Sequence, residues 1–179
     1  MPSGRTHDSI TLWSLPIVAG AAFALTGSGN LTLLMSGGFL FGGLMFGPDL
    51  DIHSQQYKRW GVLRWIWLPY RKQLRHRSIW SHGLIVGTIG RVLYLAIWIA
   101  IFSAAIILIG AIARHGIANW QISAQQDFVG IFQFVARSVQ QFSIEWIALI
   151  VGLELGAMSH SLSDWIGSAI KRRKKRSKR

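Results

Sequence analysis

The chain has 179 residues, 51% hydrophobic and only 15% charged, with 19 Gly and 9 Trp. A soluble domain carries about 25% charged residues, so this composition points to a membrane protein and excludes a soluble enzyme or a disordered chain. There is no Cys, which removes disulfides and thiolate chemistry, and 19 basic residues against 7 acids give a net charge of +12.

From Ser9 to Pro48 no residue is charged, a run too long for one span of about 20 residues. The turn-forming stretch Thr26-Gly27-Ser28-Gly29-Asn30 divides it, which predicts a hairpin of two short helices over 11–26 and 31–47. A cleaved signal peptide ending near Ala22-Phe23-Ala24 is the competing reading. It is disfavoured by Asp8 in a weakly basic leader and by the second apolar run that follows. In the next segment Trp60, Leu63, Trp67 and Tyr70 recur at helical spacing among basic residues, and 57–70 reads as an interfacial helix with its aromatics at headgroup level.

A third span covers Val92–Ala113 and begins near His82, with Arg91 inside it. Phe128, Ile131, Val135, Val139 and Phe142 then follow helical spacing, so 127–142 is expected to form a surface amphipathic helix. A fourth span covers roughly Ile144–Ile170, with Glu154 in its middle. The fold expected is therefore all-α: a polytopic membrane bundle of about four transmembrane helices plus one or two interfacial ones. Residues 1–170 form a single transmembrane domain in this reading, and 171–179 a polybasic tail.

Basic residues set the orientation. The loop 49–81 carries Lys58, Arg59, Arg64, Arg71, Lys72, Arg75 and Arg77, and the tail carries eight more. The segment 114–143 has only Arg114 and Arg137. Four spans with both termini in the cytoplasm satisfy this bias. The loop and tail then lie against anionic lipid headgroups. Nucleic acid is not an expected partner, because the basic residues sit beside predicted spans. Gly38/Gly42, Gly43/Gly47, Gly83/Gly87 and Gly152/Gly156 have the spacing that lets helix backbones approach closely in lipid.

The scarce acids and His concentrate at one membrane face. His7 and Asp8 precede the first span. Asp49, Asp51 and His53 follow the second. His76 and His82 flank the entry to the third, and His160 and Asp164 lie at the cytoplasmic end of the fourth. His160 and Asp164, four apart on a helix, share a face at about 6 Å. In an extended loop Asp49, Asp51 and His53 would point to one side. Buried in an apolar helix, such a pair is expensive unless partnered, and the other clusters at the same depth supply partners. The candidate metal ligands are His7, Asp49, Asp51, His53, His76, His82, His160 and Asp164. Imidazole and carboxylate without thiolate suit a divalent cation, Zn first, with Mn or Fe as alternatives, one or two per chain. Asp51 is either a bridging ligand or a general base, and Arg77 a fork for a phosphate or carboxylate. His115 is explained by a helix C-terminus before Gly116. Glu154 is either an acid supporting the ligands or the partner of Arg91, the second being favoured.

Four segments together resemble a bacterial family of uncharacterised metal-binding membrane proteins. They are Gly4-Arg5-Thr6-His7-Asp8, Gly47-Pro48-Asp49-Leu50-Asp51-Ile52-His53-Ser54, His76-Arg77-Ser78-Ile79-Trp80-Ser81-His82-Gly83 and His160-Ser161-Leu162-Ser163-Asp164. More distantly they are similar to the inner-membrane metal-dependent hydrolase family, although here one residue separates Asp51 from His53, and Gly83 stands where a Ser follows the second His. The resemblance implies a multi-pass protein of the bacterial cytoplasmic membrane. It also implies a metal-dependent hydrolase acting at the cytoplasmic face, and a site at headgroup level suggests an amphiphilic substrate such as a lipid phosphoester. The alternative is a non-catalytic metal-binding protein, a sensor or assembly factor.

Overall fold

A computed structural model describes residues 4–176, with side chains as far as Ala169, and every regular element in them is helical. In chain order these are α1 (Gly4–Thr26), α2 (Gly29–Leu44), a 3-10 turn (Pro48–Asp51), α3 (Gln55–Arg59), a 3-10 segment (Gly61–Trp67), α4 (Leu68–Gln73), α5 (Ile79–His82), α6 (Val86–Gln141) and α7 (Ser143–Arg176). Four segments are long and apolar enough to cross a membrane: Gly4–Thr26, Gly29–Asp51, Val86–Gln141 and Ser143–Ala169. Their outward side chains are largely apolar, among them Trp13, Ile17, Leu25, Leu33, Ile109 and Ile147. Lipid tolerates that arrangement and water does not. The chain is thus an all-helical polytopic membrane protein. The side chains of the basic run 171–179 lie outside the described residues.

The chain forms two compact units, one drawn from the residues up to Arg91 together with those from Ile147 onward, the other being Val92–Trp146. In the first, α1 and α2 make the expected hairpin. Gly27 takes φ 62° at the turn, and the Ser28 hydroxyl caps α2 by accepting from Leu31 N at 3.4 Å. A Cβ on Gly38 or Gly42 would strike the carbonyl of Leu149 or Leu153, and one on Gly152 or Gly156 that of Met35 or Phe39. The α2–α7 contact is therefore backbone against backbone, as these two Gly pairs predicted. The other two pairs serve differently. Gly43 faces the Thr11 side chain and Gly47 the Gln56 side chain, while Gly83 and Gly87 sit against the carbonyls of Ile79 and Ser81.

The interfacial helix expected over 57–70 is broken into three pieces. Gly61 adopts φ 54°, which ends α3 and starts a tighter 3-10 turn. Trp67 and Tyr70 are buried rather than held at headgroup level. Their rings join Trp60 and Phe46, with centroids 5.1 Å (Trp60–Trp67), 5.6 Å (Phe46–Trp67) and 5.5 Å (Trp67–Tyr70) apart. Val62, Leu63, Trp65 and Leu68 are the exposed large hydrophobic residues of this stretch. The apparent period counted through a Gly that reverses the backbone.

In the second unit α6 kinks at Gly116, whose φ of 72° and ψ of 171° are not helical. The helix resumes at once, so the amphipathic segment starts ten residues before the expected 127 and runs to Gln141. Ile107, Ala111 and Ala124 form a small core with Trp120 against it. Arg114 pairs with Asp127 and donates to Ser123 Oγ at 3.3 Å. Phe128, Ile131, Val135, Val139 and Phe142 stay about half exposed. His115 immediately precedes Gly116, as its helix-end reading required.

Candidate metal centre

Every element of the candidate site is positioned by ordinary local chemistry. Pro48 starts the 3-10 turn, and fully buried Leu50 anchors it. The Asp49 N–H donates to Gln56 Oε1 at 3.2 Å, and Ser54 Oγ donates to the Asp49 carbonyl at 2.8 Å. Ser54 also caps α3 by accepting from Tyr57 N at 3.2 Å. The turn is therefore not extended, and this separates residues that a period of two would align. Asp49 and Asp51 face the cluster, whereas His53 is exposed with its ring centroid 5.5 Å from that of Tyr57. Buried Arg91 fixes α5 by donating to the Ser81 carbonyl at 2.7 Å and to Thr88 Oγ1 at 2.8 Å. Glu154 accepts from Ile85 N at 2.9 Å, so its carboxylate caps the chain leaving α5 instead of hydrogen-bonding Arg91 as expected.

Two triads result, His7–His160–Asp164 and Asp49–His76–His82, each with its ligand atoms within 4.8 Å of one another. The first is buried and the second partly so. Asp49 lies between them, with Oδ2 3.2 Å from His160 Nε2 and Oδ1 3.5 Å from His82 Nε2. The His7 and His160 rings stack with centroids 3.9 Å apart. Asp164 Oδ1 is 3.3 Å from His7 Nε2.

These close approaches are ion-pair contacts without good hydrogen-bond geometry. Asp49 Oδ1, His82 Nε2, His160 Nε2 and Asp164 Oδ1 are buried with no hydrogen-bond partner. Buried polar atoms are normally paired, because leaving one unpaired costs about 1–3 kcal/mol. Four such atoms in one cluster, near each other but not aimed at each other, fit divalent cations seated among them. The donor set of imidazole nitrogen and carboxylate oxygen fits as well.

The outer hydrogen bonds prepare three of the four imidazoles. Ser163 Oγ donates its proton to the His160 carbonyl at 2.8 Å, so its 2.6 Å contact with His7 Nδ1 is made with His7 donating. Asp51 accepts from His76 Nδ1 at 3.0 Å. Ser81 Oγ donates to carbonyls and accepts from His82 Nδ1 at 3.0 Å. Each of these rings thereby presents Nε2 as a lone pair, as a metal ligand must. His160 differs. Gln56 Nε2, which donates to the Gly43 carbonyl at 2.8 Å, lies 3.4 Å from its Nδ1.

Of the residues predicted from sequence, His7, Asp49, His76, His82, His160 and Asp164 come together in the triads. Asp51 stands behind His76, 3.7 Å from His82 Nδ1, and Asp49 is the carboxylate that contacts a His of each triad. Arg77 pairs with Asp164 at 3.6 Å. Asp8 is engaged by Arg59, which also donates to the Leu44 carbonyl at 2.7 Å. Gln56 and Ser163 went unrecognised. Ser163 had a signal, being three residues after His160 on the same helix, but Gln56 had none. Two clefts reach the cluster. One of about 290 Å³ is lined by His7, Asp49, His53, Lys58 and His160 among others. The other, of about 300 Å³, is lined by Arg77, His82, Ser161, Asp164, Trp165 and Ser168.

Fold and site together define a multi-span helical membrane protein with two linked His/Asp triads where its helices end. The chain belongs to the family described as "Uncharacterized metal-binding protein (DUF2227)", which matches residues 2–174. It is also similar to an "Uncharacterized protein" of Aquifex aeolicus (strain VF5), 39% identical over 59 residues. That similarity covers 32% of this chain and 41% of the relative. No solved structure matches the chain.

Proposed function

We propose that the protein is a metal-dependent hydrolase of the bacterial cytoplasmic membrane, with both termini and the triads at the cytoplasmic face. The observation that carries the metal reading is the set of four buried, unpaired ligand atoms shared between two triads. His7, His160 and Asp164 would hold one divalent cation, and Asp49, His76 and His82 a second, with zinc the first choice. A cation bound there supplies Lewis-acid polarisation of a scissile group and a more acidic water. The protein's own residues do the rest. Asp51 and Ser163 fix ring orientation, and Arg77 offers a planar fork to an anionic group beside Asp164. Three protein ligands for each cation leave room for substrate or water, the hallmark of a catalytic site. The motif resemblance to the inner-membrane hydrolases supports this reading. So does the basic loop 49–81, whose charge supports a cytoplasmic side for the triads.

The burial of His7, His160 and Asp164 favours one other reading, a closed structural cation without catalysis. Elemental analysis of the detergent-purified chain, followed by phosphate release from a panel of phosphoesters with Zn, Mn or Fe added, separates the two. The hydrolase reading expects one to two equivalents of metal and chelator-sensitive release. Metal without release on any member of the panel supports the closed site. Less than about 0.2 equivalents after reloading removes both, since a structural site holds its metal as tightly as a catalytic one.

A further inference from the structure

We propose that the cleft formed by Arg77, His82, Ser161, Asp164, Trp165 and Ser168 receives the phosphate headgroup of a membrane amphiphile, with Arg77 exchanging its carboxylate partner for the phosphate. This rests on the hydrolase reading of the adjoining triads and names the substrate class for it. The cleft's volume of about 300 Å³ lies at the lower end of the range for small-ligand sites. Ser161, Asp164, Trp165 and Ser168 recur three and four apart, so a single face of α7 builds one wall. Two hydroxyls and a guanidinium are a donor set for an anion.

Both triads reach this cleft. His82 comes from one and Asp164 from the other, and each carries a buried atom with no hydrogen-bond partner, His82 Nε2 and Asp164 Oδ1. An anion seated here therefore lies against both sets of ligands. Arg77 is free to move to it, because its pair with Asp164 is long, 3.6 Å, and its side chain is 45% exposed. A phosphate accepts two parallel N–H bonds from a guanidinium, which the present contact does not supply.

The rim identifies the rest of the ligand. Trp165 is 65% exposed, and Leu162 and Ile166 beside it on α7 are also exposed. Ile79 and Trp80, exposed on α5, flank the chain that carries His82. A cleft of polar side chains with an exposed Trp in its wall, at the end of a segment apolar enough to span a membrane, suits a headgroup with acyl chains. A soluble phosphoester would leave that rim uncovered.

The test is calorimetric binding to the full-length chain in detergent with two equivalents of zinc. The probe is the phosphonate analogue of dihexanoyl phosphatidate, which keeps the dianion but has no cleavable phosphoester. Saturable binding is expected. Dihexanoylglycerol, which lacks phosphorus, and glycerol 3-phosphate, which lacks acyl chains, should each bind at least tenfold more weakly. Arg77→Gln should weaken the phosphonate at least tenfold without lowering bound zinc. Trp165→Ala should weaken the phosphonate and leave glycerol 3-phosphate unchanged. Equal binding of phosphonate and dihexanoylglycerol, or unaltered affinity in both variants, overturns the headgroup site. Glycerol 3-phosphate binding as tightly as the phosphonate assigns the cleft to soluble phosphoesters and overturns the amphiphile. A chain that takes up none of Zn, Mn and Fe refutes the hydrolase reading, and the Arg77 dependence measured on that metal-free chain still decides the cleft.

Discussion

Asp49 and His160 show what one residue contributes here. Each has a buried ligand atom without a hydrogen bond, Asp49 Oδ1 and His160 Nε2, and the other oxygen of Asp49, Oδ2, lies 3.2 Å from His160 Nε2 across the two triads. His160→Ala should lower bound metal at least tenfold and also destabilise the fold, because the remaining ligands stay buried and lose their counterpart. Elemental analysis and thermal unfolding in detergent read both effects. His115→Ala should change neither, and His53→Ala, outside both triads, should keep its metal. Ser163→Ala removes the acceptor for His7 Nδ1–H and should weaken metal binding by roughly 10–100-fold, the usual cost of losing such an outer partner. A chelator competition titration measures it. Six of the eight predicted ligands were legible because His and carboxylate are scarce in this chain and cluster at helix ends. His53 misled because its alternation with Asp49 and Asp51 presumed an extended strand, and Pro48 instead begins a 3-10 turn. Gln56 was invisible, since an amide signals nothing until α3 turns it toward Asp49 and His160.

Among the elements, the α2–α7 seam has the strictest geometry. Both helices bring Gly to the contact, and any Cβ meets the opposing backbone carbonyls. Gly156→Val should cost about 1–3 kcal/mol by overpacking. It should also lower metal retention, because α7 carries His160 and Asp164 one to two turns further on. Gly20→Ala, with nothing within 4 Å of the added carbon inside helix α1, should lower neither thermal stability nor metal content, and the same melts compare the two. Span number and the tight seam were readable from charge-free runs and Gly spacing. The fate of 57–70 was not. Trp60, Trp67 and Tyr70 do share a cluster, but they reach it around a left-handed Gly61, and hydrophobic spacing carries no information about φ. The helix after Gly116 began earlier than expected because polar residues such as Gln121 and Gln125 masked its start.

For the whole molecule, the proposed topology makes a direct prediction. The chain has no native Cys, so single Cys substitutions report cleanly. A Cys at position 125 in intact cells should react with a membrane-impermeant maleimide, and one at position 56 only after the membrane is opened. The reverse pattern would place the triads on the outer side and remove the cytoplasmic assignment. The proposal rests on the asymmetry of basic residues, since 15 of the 19 lie in the loop 49–81 and the tail.

Under the proposed reading, in which each triad holds a cation, one carboxylate shared by both couples their occupancy thermodynamically. Asp49 offers Oδ1 to one and Oδ2 to the other, so whichever cation arrives first orients that side chain for the second. Linkage is reciprocal: if the first ion strengthens the second, removing either weakens the other by the same factor. A chelator titration of the loaded chain should then release both ions in a single steep transition, leaving little of the half-loaded species. In Asp49→Asn, which keeps the shape but weakens the bridge, the same titration should separate into two. A cell limited in the cation would hold this protein mostly as full or empty copies, so its active fraction would follow metal supply more sharply than independent sites allow.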